Sequence, residues 1–328
     1  MLLSGAISFP ATNYFGALYQ QLLGSKAPVI GIIRHRLTTD GEGVTTLVGF
    51  YGCPLSCKYC LNPHCKDILY SDKRISPSEL YQFVKIDDLY FQATGGGATF
   101  GGGEPLYYSD FINSFYKLCK DDNWHLRLET SLNVKKETIK KVIPSIHEFI
   151  VDIKDMNPNI YKAYTGIDNS LVKENLRLLV SSGMADRVIV RIPLIEKFNT
   201  EEDIQKSKNE LLAMGLHRFE CLKYETSITE ATIETTSGKS ICQVLKDIRK
   251  AVADANNIEY EPAECHFKGD CPGTCPKCDE ELKNLTEQLQ IHKKNGTTKK
   301  IHKQKLSSIE KSIIETITPN LVGYIYRI

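Results

Sequence analysis

Residues 45–60 read TTLVGFYGCPLSCKYC, an apolar run followed by three closely spaced cysteines. The run Thr45–Tyr51 has the β-branched and aromatic composition of a buried strand, and glycine and proline follow it. Cys53, Cys57 and Cys60 therefore lie on a loop at the carboxyl end of that strand. In α/β folds this end of the sheet carries the reactive groups, so the stretch predicts both a fold and a site.

Strand and helix patterns alternate along the chain. The strand patterns are Thr45–Tyr51, Ala98–Gly101, Leu126–Thr130, Phe149–Ile153, Val188–Leu194 and Phe219–Tyr224. The helix patterns are Ser76–Ala93, Tyr108–Lys120, Lys135–Ile146, Leu171–Ser182, Glu201–Met214 and Ser240–Asn256. Six βα units in sequence predict parallel strands with right-handed crossovers. Because a full barrel needs eight units, the sequence favours an α/β fold of the partial (β/α)6 barrel type, with a doubly wound open sheet as the alternative.

The composition and charge of the chain exclude some classes of function. The chain has 328 residues, a net charge of +1 and 11 cysteines. A near-neutral charge argues against a nucleic-acid binder held by a strong field. No run approaches about 20 apolar residues, and the N-terminus lacks a secretory pattern, so we expect no membrane association and a cytoplasmic location. Thiols stay reduced there, and clustered reduced cysteines indicate a metal site.

Changes in pattern divide the chain into four predicted segments. Residues 1–29 form an N-terminal extension and residues 30–257 contain the partial barrel. Residues 258–292 form a small cysteine-rich C-terminal extension with a metal-binding pattern, and Asp279–His292 within it reads as a helix. Residues 293–328 contain a lysine-rich linker and a C-terminal tail.

The first cysteine group indicates a catalytic metal. Cys53, Cys57 and Cys60 have the spacing C-x3-C-x2-C, which suits three irons of a [4Fe–4S] cluster. Most electron-transfer clusters use four cysteines, so a set of three leaves an open coordination position, as catalytic metal sites do. The alternative is a structural zinc site completed by His64 or Cys65.

At these residues the sequence resembles a known family. The C-x3-C-x2-C loop is the signature of radical S-adenosylmethionine (radical SAM) enzymes, and the resemblance covers about residues 30–225. Asp40–Thr46 (DGEGVTT) and Tyr59–Pro63 (YCLNP) are similar to the entry segment of the enzymes that activate glycyl radical enzymes of the pyruvate formate-lyase type. Asp152–Met156 (DIKDM), followed by Tyr164–Gly166 (YTG), is similar to the middle motif of their barrel.

The resemblance implies a reductive cleavage of S-adenosylmethionine. The open iron would bind the cosubstrate, and one electron from the cluster would release a 5′-deoxyadenosyl radical that removes hydrogen from a protein or peptide substrate. It also implies a reducing partner such as a flavodoxin or a ferredoxin. The cofactors carry this chemistry, so no catalytic side chain is expected beyond the cluster and the cosubstrate.

The resemblance also assigns residues to the cosubstrate. Gly102, Gly103 and Glu104 match the family's Gly-Gly-Glu, which contacts the amino group of S-adenosylmethionine. Tyr59 occupies the aromatic position near adenine. Glu129 lies where activating enzymes tend to have aspartate, which puts cation binding at that position in doubt.

Three charged residues lie on or after the middle strands. Alternation along a strand puts Asp152 and Lys154 on one face, here the expected interior of the barrel. Because buried charges must be paired, they form either a structural pair or part of the cosubstrate site. Arg191 in the fifth strand pattern has the same two interpretations.

A second cysteine group lies near the C-terminus. Cys265, Cys271, Cys275 and Cys278 offer four thiolates with turn residues between them. Four sulfurs suit an auxiliary [4Fe–4S] cluster or structural zinc, and the spacing leaves both open. Activating enzymes carry extra clusters near the first strand instead, so this group departs from the resemblance.

The remaining cysteines are scattered. Cys119 and Cys242 fall in helix patterns and Cys221 in a strand pattern, and an isolated cysteine usually packs as a small hydrophobe. Cys65 receives no role.

The function predicted from these observations is hydrogen abstraction by a radical SAM enzyme, foremost the activation of a glycyl radical enzyme. The C-terminal cysteines favour a second interpretation, a maturase that modifies a ribosomal peptide with an auxiliary cluster. A third interpretation, from another class, is a non-catalytic metal-binding interaction module that kept the fold.

Overall fold

The computed structural model describes residues 26–37, 39–224, 238–265 and 275–297. Eight strands in this part of the chain form one sheet in the order β3-β1-β2-β4-β5-β6-β7-β8. The strands are β1 (Ala27–Leu37), β2 (Val44–Phe50), β3 (Arg74–Ile75), β4 (Gly97–Gly102), β5 (Arg127–Thr130), β6 (Glu148–Asp152), β7 (Val188–Ile195) and β8 (Arg218–Tyr224).

Six of these strands are parallel and follow the predicted succession. Strand β2 pairs with β4, and pairing then continues through β5, β6 and β7 to β8, always in parallel. The edge strands β3 and β8 are not paired with each other in the sheet, so it is open rather than closed. The predicted α/β class with a partial six-unit barrel is therefore confirmed.

Two strands lie outside the prediction. Strand β1 pairs with β2 in the antiparallel sense, and the two-residue β3 pairs with β1. The sequence of β1, APVIGIIRHRL, has apolar residues at its start, but it precedes the βα repeat and lacks a helix after it. Its addition covers one edge of the parallel sheet.

Nine helices are present in the described residues. They are α1 (Pro77–Val84), α2 (Asp88–Thr94), α3 (Ser109–Cys119), α4 (Lys136–Val142), α5 (Pro158–Thr165), α6 (Ser170–Ser181), α7 (Glu201–Ala213), α8 (Gly238–Ala255) and α9 (Pro276–Lys294). Ser76 and Thr200 each form a capping box at the start of a helix, α1 and α7 respectively.

Two helix predictions need correction. The pattern at residues 76–93 predicts one helix, whereas a 3-10 turn at Lys85–Asp87 separates α1 from α2. Helix α5 was not predicted, although Asn157 accepts hydrogen bonds from two backbone N–H groups at its start and Pro158 takes the first helical position. This short amphipathic segment lies between β6 and α6, where one βα unit predicts only a single helix.

The main core lies between the parallel sheet and the helices that follow its strands. Apolar side chains of β2, β4, β5, β6 and β7 pack there against α1, α3, α4 and α6. A second cluster joins α2, α8 and α9 to the beginning of β2 through residues such as Tyr90, Ile248 and Leu285. The sheet and its helices therefore place the carboxyl ends of six parallel strands at one edge.

The predicted segment limits stay predictions. The tail after residue 297 and the segment before residue 26 lie outside the described residues. No helix among residues 26–37, 39–224, 238–265 and 275–297 has the length and apolar character needed to cross a bilayer.

Candidate functional site

One open cavity lies at the carboxyl ends of the parallel strands. It contains about 740 Å³ of empty space, part of it continuous with solvent. The cavity brings together most of the residues singled out in the sequence. Those that line it are Cys53, Cys57, Tyr59, Cys60, Gly102, Gly103, Glu129, Asp152, Lys154 and Arg191. Glu104 is fully buried and does not line it.

Backbone hydrogen bonds from three directions hold the cysteine loop. The N–H of Gly52 donates to the carbonyl of Cys65 (2.7 Å). The N–H of Ser56 donates to the carbonyl of Thr165 (2.8 Å) at the end of α5. The hydroxyl of Tyr164, also on α5, donates to the carbonyl of Tyr59 (3.0 Å). The helix that sequence patterns missed therefore fixes the loop that carries the three thiols.

The three thiols differ in their surroundings. Burial, aided by the carboxylate of Glu104, raises the pKa of Cys53 to about 12. Burial also raises the pKa of Cys57. A hydrogen bond from the thiol of Cys65 lowers the pKa of Cys60 to about 6. Cys65 is 1% exposed. Its buried thiol therefore supports Cys60, one of the three loop cysteines, from beneath the loop.

The thiols fit a cluster better than a single ion. Within residues 26–37, 39–224, 238–265 and 275–297, no three His, Cys, Asp or Glu side chains surround one point as ligands of one metal ion would. A [4Fe–4S] cluster does not need such convergence, because each cysteine binds a different iron. Thiolates are also the ligands that iron–sulfur clusters require, so Cys53, Cys57 and Cys60 fit this group.

Gly103 lets β4 approach the cysteine loop. A Cβ atom at this position would lie 2.1 Å from the carbonyl oxygen of Gly52 and 2.8 Å from that of Phe50. The backbone N–H of Gly103 donates to the carbonyl of Phe50 (2.9 Å), and that of Glu104 donates to the carbonyl of Gly52 (2.7 Å). Only glycine permits this contact. Gly103 therefore brings the end of β4 against the cysteine loop.

The carboxylate of Glu104 forms hydrogen bonds with neighbouring protein groups and does not line the cavity. It accepts hydrogen bonds from the hydroxyls of Thr130 (2.6 Å) and Ser131 (2.7 Å). It also accepts from the backbone N–H groups of Ser131 (3.1 Å) and Leu106 (3.2 Å). Burial raises the pKa of Glu104, and these hydrogen bonds oppose the shift. The side chain thus ties β4 to the end of β5, whereas the resemblance led us to expect a contact with the cosubstrate.

Arg191 and Glu129 form an ion pair in the cavity wall. Arg191 donates to Glu129 (3.0 Å), to Glu220 (2.7 Å) and to the carbonyl of Thr39 (2.6 Å). Burial opposes its charge, but Glu129 and Glu220 raise the pKa of Arg191 above its usual value. One oxygen of Glu129, Oε2, is buried without a hydrogen-bond partner. Since buried acceptors are normally satisfied, this oxygen has the character of a ligand contact.

Asp152, Lys154 and Tyr224 form a second charged group. The ammonium of Lys154 pairs with Asp152 and donates to the hydroxyl of Tyr224 (2.8 Å), which in turn donates to Asp152 (2.8 Å). Burial opposes the charge of Lys154, but Asp152 raises its pKa well above the usual value. Lys154 has a φ of 63°, a strained region for this residue type. The second oxygen of Asp152, Oδ1, is buried and unpartnered.

Sequence reasoning missed several residues of the cavity. Tyr224, Thr130 and Ser131 line it, as does Asn62, whose amide donates to the carbonyl of Gly102 (3.4 Å). Tyr224 ends the last strand pattern, so the rule that reactive groups follow strands would have found it.

The ring of Tyr59 packs against the ring of Phe198, with 5.9 Å between the two ring centroids.

The cysteines outside the loop are placed differently from one another. Cys119 is buried, as predicted for a packing residue. The same prediction for Cys221 is wrong, because the edge strand β8 leaves that thiol exposed. Cys242 is buried, and its sulfur lies 3.6 Å from that of Cys278. Cys265 is exposed and Cys275 half-buried, while Cys271 lies outside the described residues.

Part of the chain matches a known protein family. Residues 47–209 match the family model described as the radical SAM superfamily. The chain is 28% identical, over 55% of its length and 78% of the relative, to the 4-hydroxyphenylacetate decarboxylase activating enzyme of Clostridioides difficile (strain 630). It is 28% identical, over 60% and 77%, to the pyruvate formate-lyase 2-activating enzyme of Escherichia coli (strain K12).

A solved structure also matches part of the chain. It is a domain of a pyruvate-formate lyase-activating enzyme from Bacteroides vulgatus ATCC 8482, with 28% identity and a TM-score of 0.37. The match covers 47% of this chain and 95% of that domain.

We predict that Gly103→Ala destabilises the protein by about 3 kcal/mol, because the added carbon meets a fixed backbone oxygen. Gly183→Ala is the matched control: its Cβ meets nothing within 4 Å at a φ of 74°, so it should lose only about 1–2 kcal/mol for the left-handed backbone. Urea unfolding of both variants measures the difference. Equal losses would contradict the close approach of β4 to the cysteine loop.

Proposed function

Since residues 47–209 form a domain of the radical SAM superfamily, we propose that this enzyme cleaves S-adenosylmethionine reductively to activate a glycyl radical enzyme. The observation that carries the proposal is the convergence of three loop thiols and two unpartnered carboxylate oxygens on one cavity. The relatives at 28% identity are themselves named activating enzymes.

Cys53, Cys57 and Cys60 would hold a [4Fe–4S] cluster at the floor of the cavity. When bound, the reduced cluster supplies the electron that converts S-adenosylmethionine to methionine and a 5′-deoxyadenosyl radical. The protein keeps these thiols in place through the contacts of Gly52 with Cys65 and of α5 with the loop. The loop supplies three thiols, so one of the four irons would be left without a cysteine from this loop.

The cavity wall matches the charges of S-adenosylmethionine. That molecule carries an ammonium and ribose hydroxyls, which donate hydrogen bonds, and a carboxylate, which accepts them. Its sulfonium donates no hydrogen bond but is stabilised by nearby negative charge. Oε2 of Glu129 and Oδ1 of Asp152 are buried acceptors without partners. A hydrogen bond from a charged donor would remove their desolvation cost. Lys154 and Arg191 provide cations in the same wall.

The ion pairs orient these acceptors. Arg191 holds one oxygen of Glu129, and Lys154 with Tyr224 holds one oxygen of Asp152. Each carboxylate therefore has a fixed direction before ligand binds, which reduces the entropy lost on binding. Leu55, Leu222 and Tyr59 add apolar surface to the cavity, which limits water around a reactive radical.

The substrate belongs to the proposal. We infer a backbone glycine of a partner enzyme as the hydrogen donor, and a flavodoxin- or ferredoxin-type protein as the reductant. A peptide-modifying activity remains the second candidate, because the C-terminal cysteines lie outside the matched domain. A non-catalytic metal module would keep the thiols but would have no use for two unpartnered carboxylate oxygens beside them.

We predict that anaerobically reconstituted protein, reduced with dithionite, converts S-adenosylmethionine to 5′-deoxyadenosine. Cys57→Ala should abolish this conversion, because it removes one of the three proposed iron ligands. Cys119→Ala is the matched control, since this buried thiol lies away from the cavity, and it should retain activity. Liquid chromatography measures the nucleoside. Undiminished turnover by Cys57→Ala would disprove the cluster assignment.

We also predict that Asp152→Asn weakens S-adenosylmethionine binding by about tenfold, because a charged acceptor contributes about 1.5–3 kcal/mol. Asp110→Asn is the control, since Asp110 pairs with Lys141 on the exposed surface. Equilibrium dialysis with the unreduced holoenzyme measures binding without turnover. Equal affinity in both variants would remove Asp152 from the cosubstrate site.

The substrate requires its own prediction. Mixed with the reduced holoenzyme and S-adenosylmethionine, a candidate glycyl radical enzyme should develop the doublet electron paramagnetic resonance signal of a backbone glycyl radical. Alanine in place of its radical glycine should remove the signal. Formation of 5′-deoxyadenosine without any radical on the partner would favour the peptide-modifying alternative.

A further inference from the structure

The helix cysteine Cys242 lies against the C-terminal cysteine group. Its side chain is 4% exposed on α8, and its sulfur is 3.6 Å from that of Cys278 in the first turn of α9. Cys242 and Cys278 are 36 positions apart in the sequence. The sequence pattern predicts only a packing role for Cys242. The contact joins two helices through a pair of sulfurs that are not bonded to each other.

The separation of the sulfurs matches two ligands of one ion. Zinc binds thiolates at about 2.3 Å, and tetrahedral geometry then places two sulfurs about 3.8 Å apart. In a [4Fe–4S] cluster each cysteine binds a different iron, so the sulfurs stand farther apart. A distance of 3.6 Å between Cys242 and Cys278 therefore favours a mononuclear site.

Two more thiols lie next to this pair. Cys275 precedes α9, and its thiol interacts with the thiol and the backbone N–H of Cys278. The C-x2-C spacing of Cys275 and Cys278 is that of a zinc-binding turn. Cys265 is exposed and lines the same cavity as Cys242.

Two ion pairs fix the helices near the sulfurs. On α8, Arg249 pairs with Glu281 of α9 (2.8 Å). Asp279, which follows Cys278, accepts hydrogen bonds from Arg34 of β1 (2.9 Å). The approach of Cys242 to Cys278 is thus set by the fold on both sides.

From this geometry we infer that Cys242 is a ligand of a structural zinc ion together with Cys265, Cys275 and Cys278. Zinc binding would release the thiol protons and involves no change of oxidation state. Within the described part of the chain no three of these side chains surround one point, so zinc binding would require Cys275 and Cys265 to move toward Cys242 and Cys278. The site is separate from the thiols of the barrel and holds α8 to α9.

The test is metal analysis of the full chain. Protein purified under reducing conditions with zinc, then treated with a mild chelator, should retain about one zinc per chain. Cys242→Ser should lose this zinc, whereas Cys119→Ser, which changes another buried helix cysteine, should keep it. Both variants should retain the iron of the reconstituted barrel cluster, which shows that the barrel has folded.

Cobalt provides a second readout. Cobalt in place of zinc should give the visible absorption of a tetrahedral thiolate site, and Cys242→Ser should weaken or shift that absorption. Zinc retained by Cys242→Ser with an unchanged cobalt spectrum would overturn the inference. So would a wild-type chain that holds no zinc, whether it has extra iron and sulfide or no second metal at all.

Discussion

The fully buried carboxylate of Glu104 joins the pieces on which the cavity depends. Three hydrogen bonds from Thr130 and Ser131 at the end of β5, and one from the N–H of Leu106 just after β4, converge on it. The backbone N–H of Glu104 donates a hydrogen bond to the carbonyl of Gly52, the residue before the first cysteine of the loop. A buried carboxylate is costly unless its oxygens are satisfied, so this arrangement admits few alternatives. Two strand ends and the cysteine loop therefore share one fixed point.

The cavity wall also contains two buried carboxylate oxygens that accept no hydrogen bond. Glu129 and Asp152 each use one oxygen in an ion pair and keep the other buried and unpartnered. Such an oxygen destabilises the folded chain until a donor reaches it. Such a cost in stability is usual where binding groups are oriented in advance.

The sequence was most informative where local pattern and chemistry agree. Six parallel strands and the position of Cys53 follow from periodicity and spacing, because both depend on neighbouring residues. Strand β1 and helix α5 were missed, since neither continues the βα repeat. The roles of Glu104 and Cys242 also escaped prediction. Their partners lie 26 and 36 residues away, and only the fold determines which groups meet across that distance.

Helix α5 has a consequence for the order of assembly. The hydroxyl of Tyr164 reaches the carbonyl of Tyr59 across 105 residues of chain. Contacts of such separation form late, because the loop that they close is entropically costly. The short cysteine loop therefore cannot take its final shape by itself during synthesis. The three thiols therefore reach their relative positions only after β6 and α5 have docked against the loop.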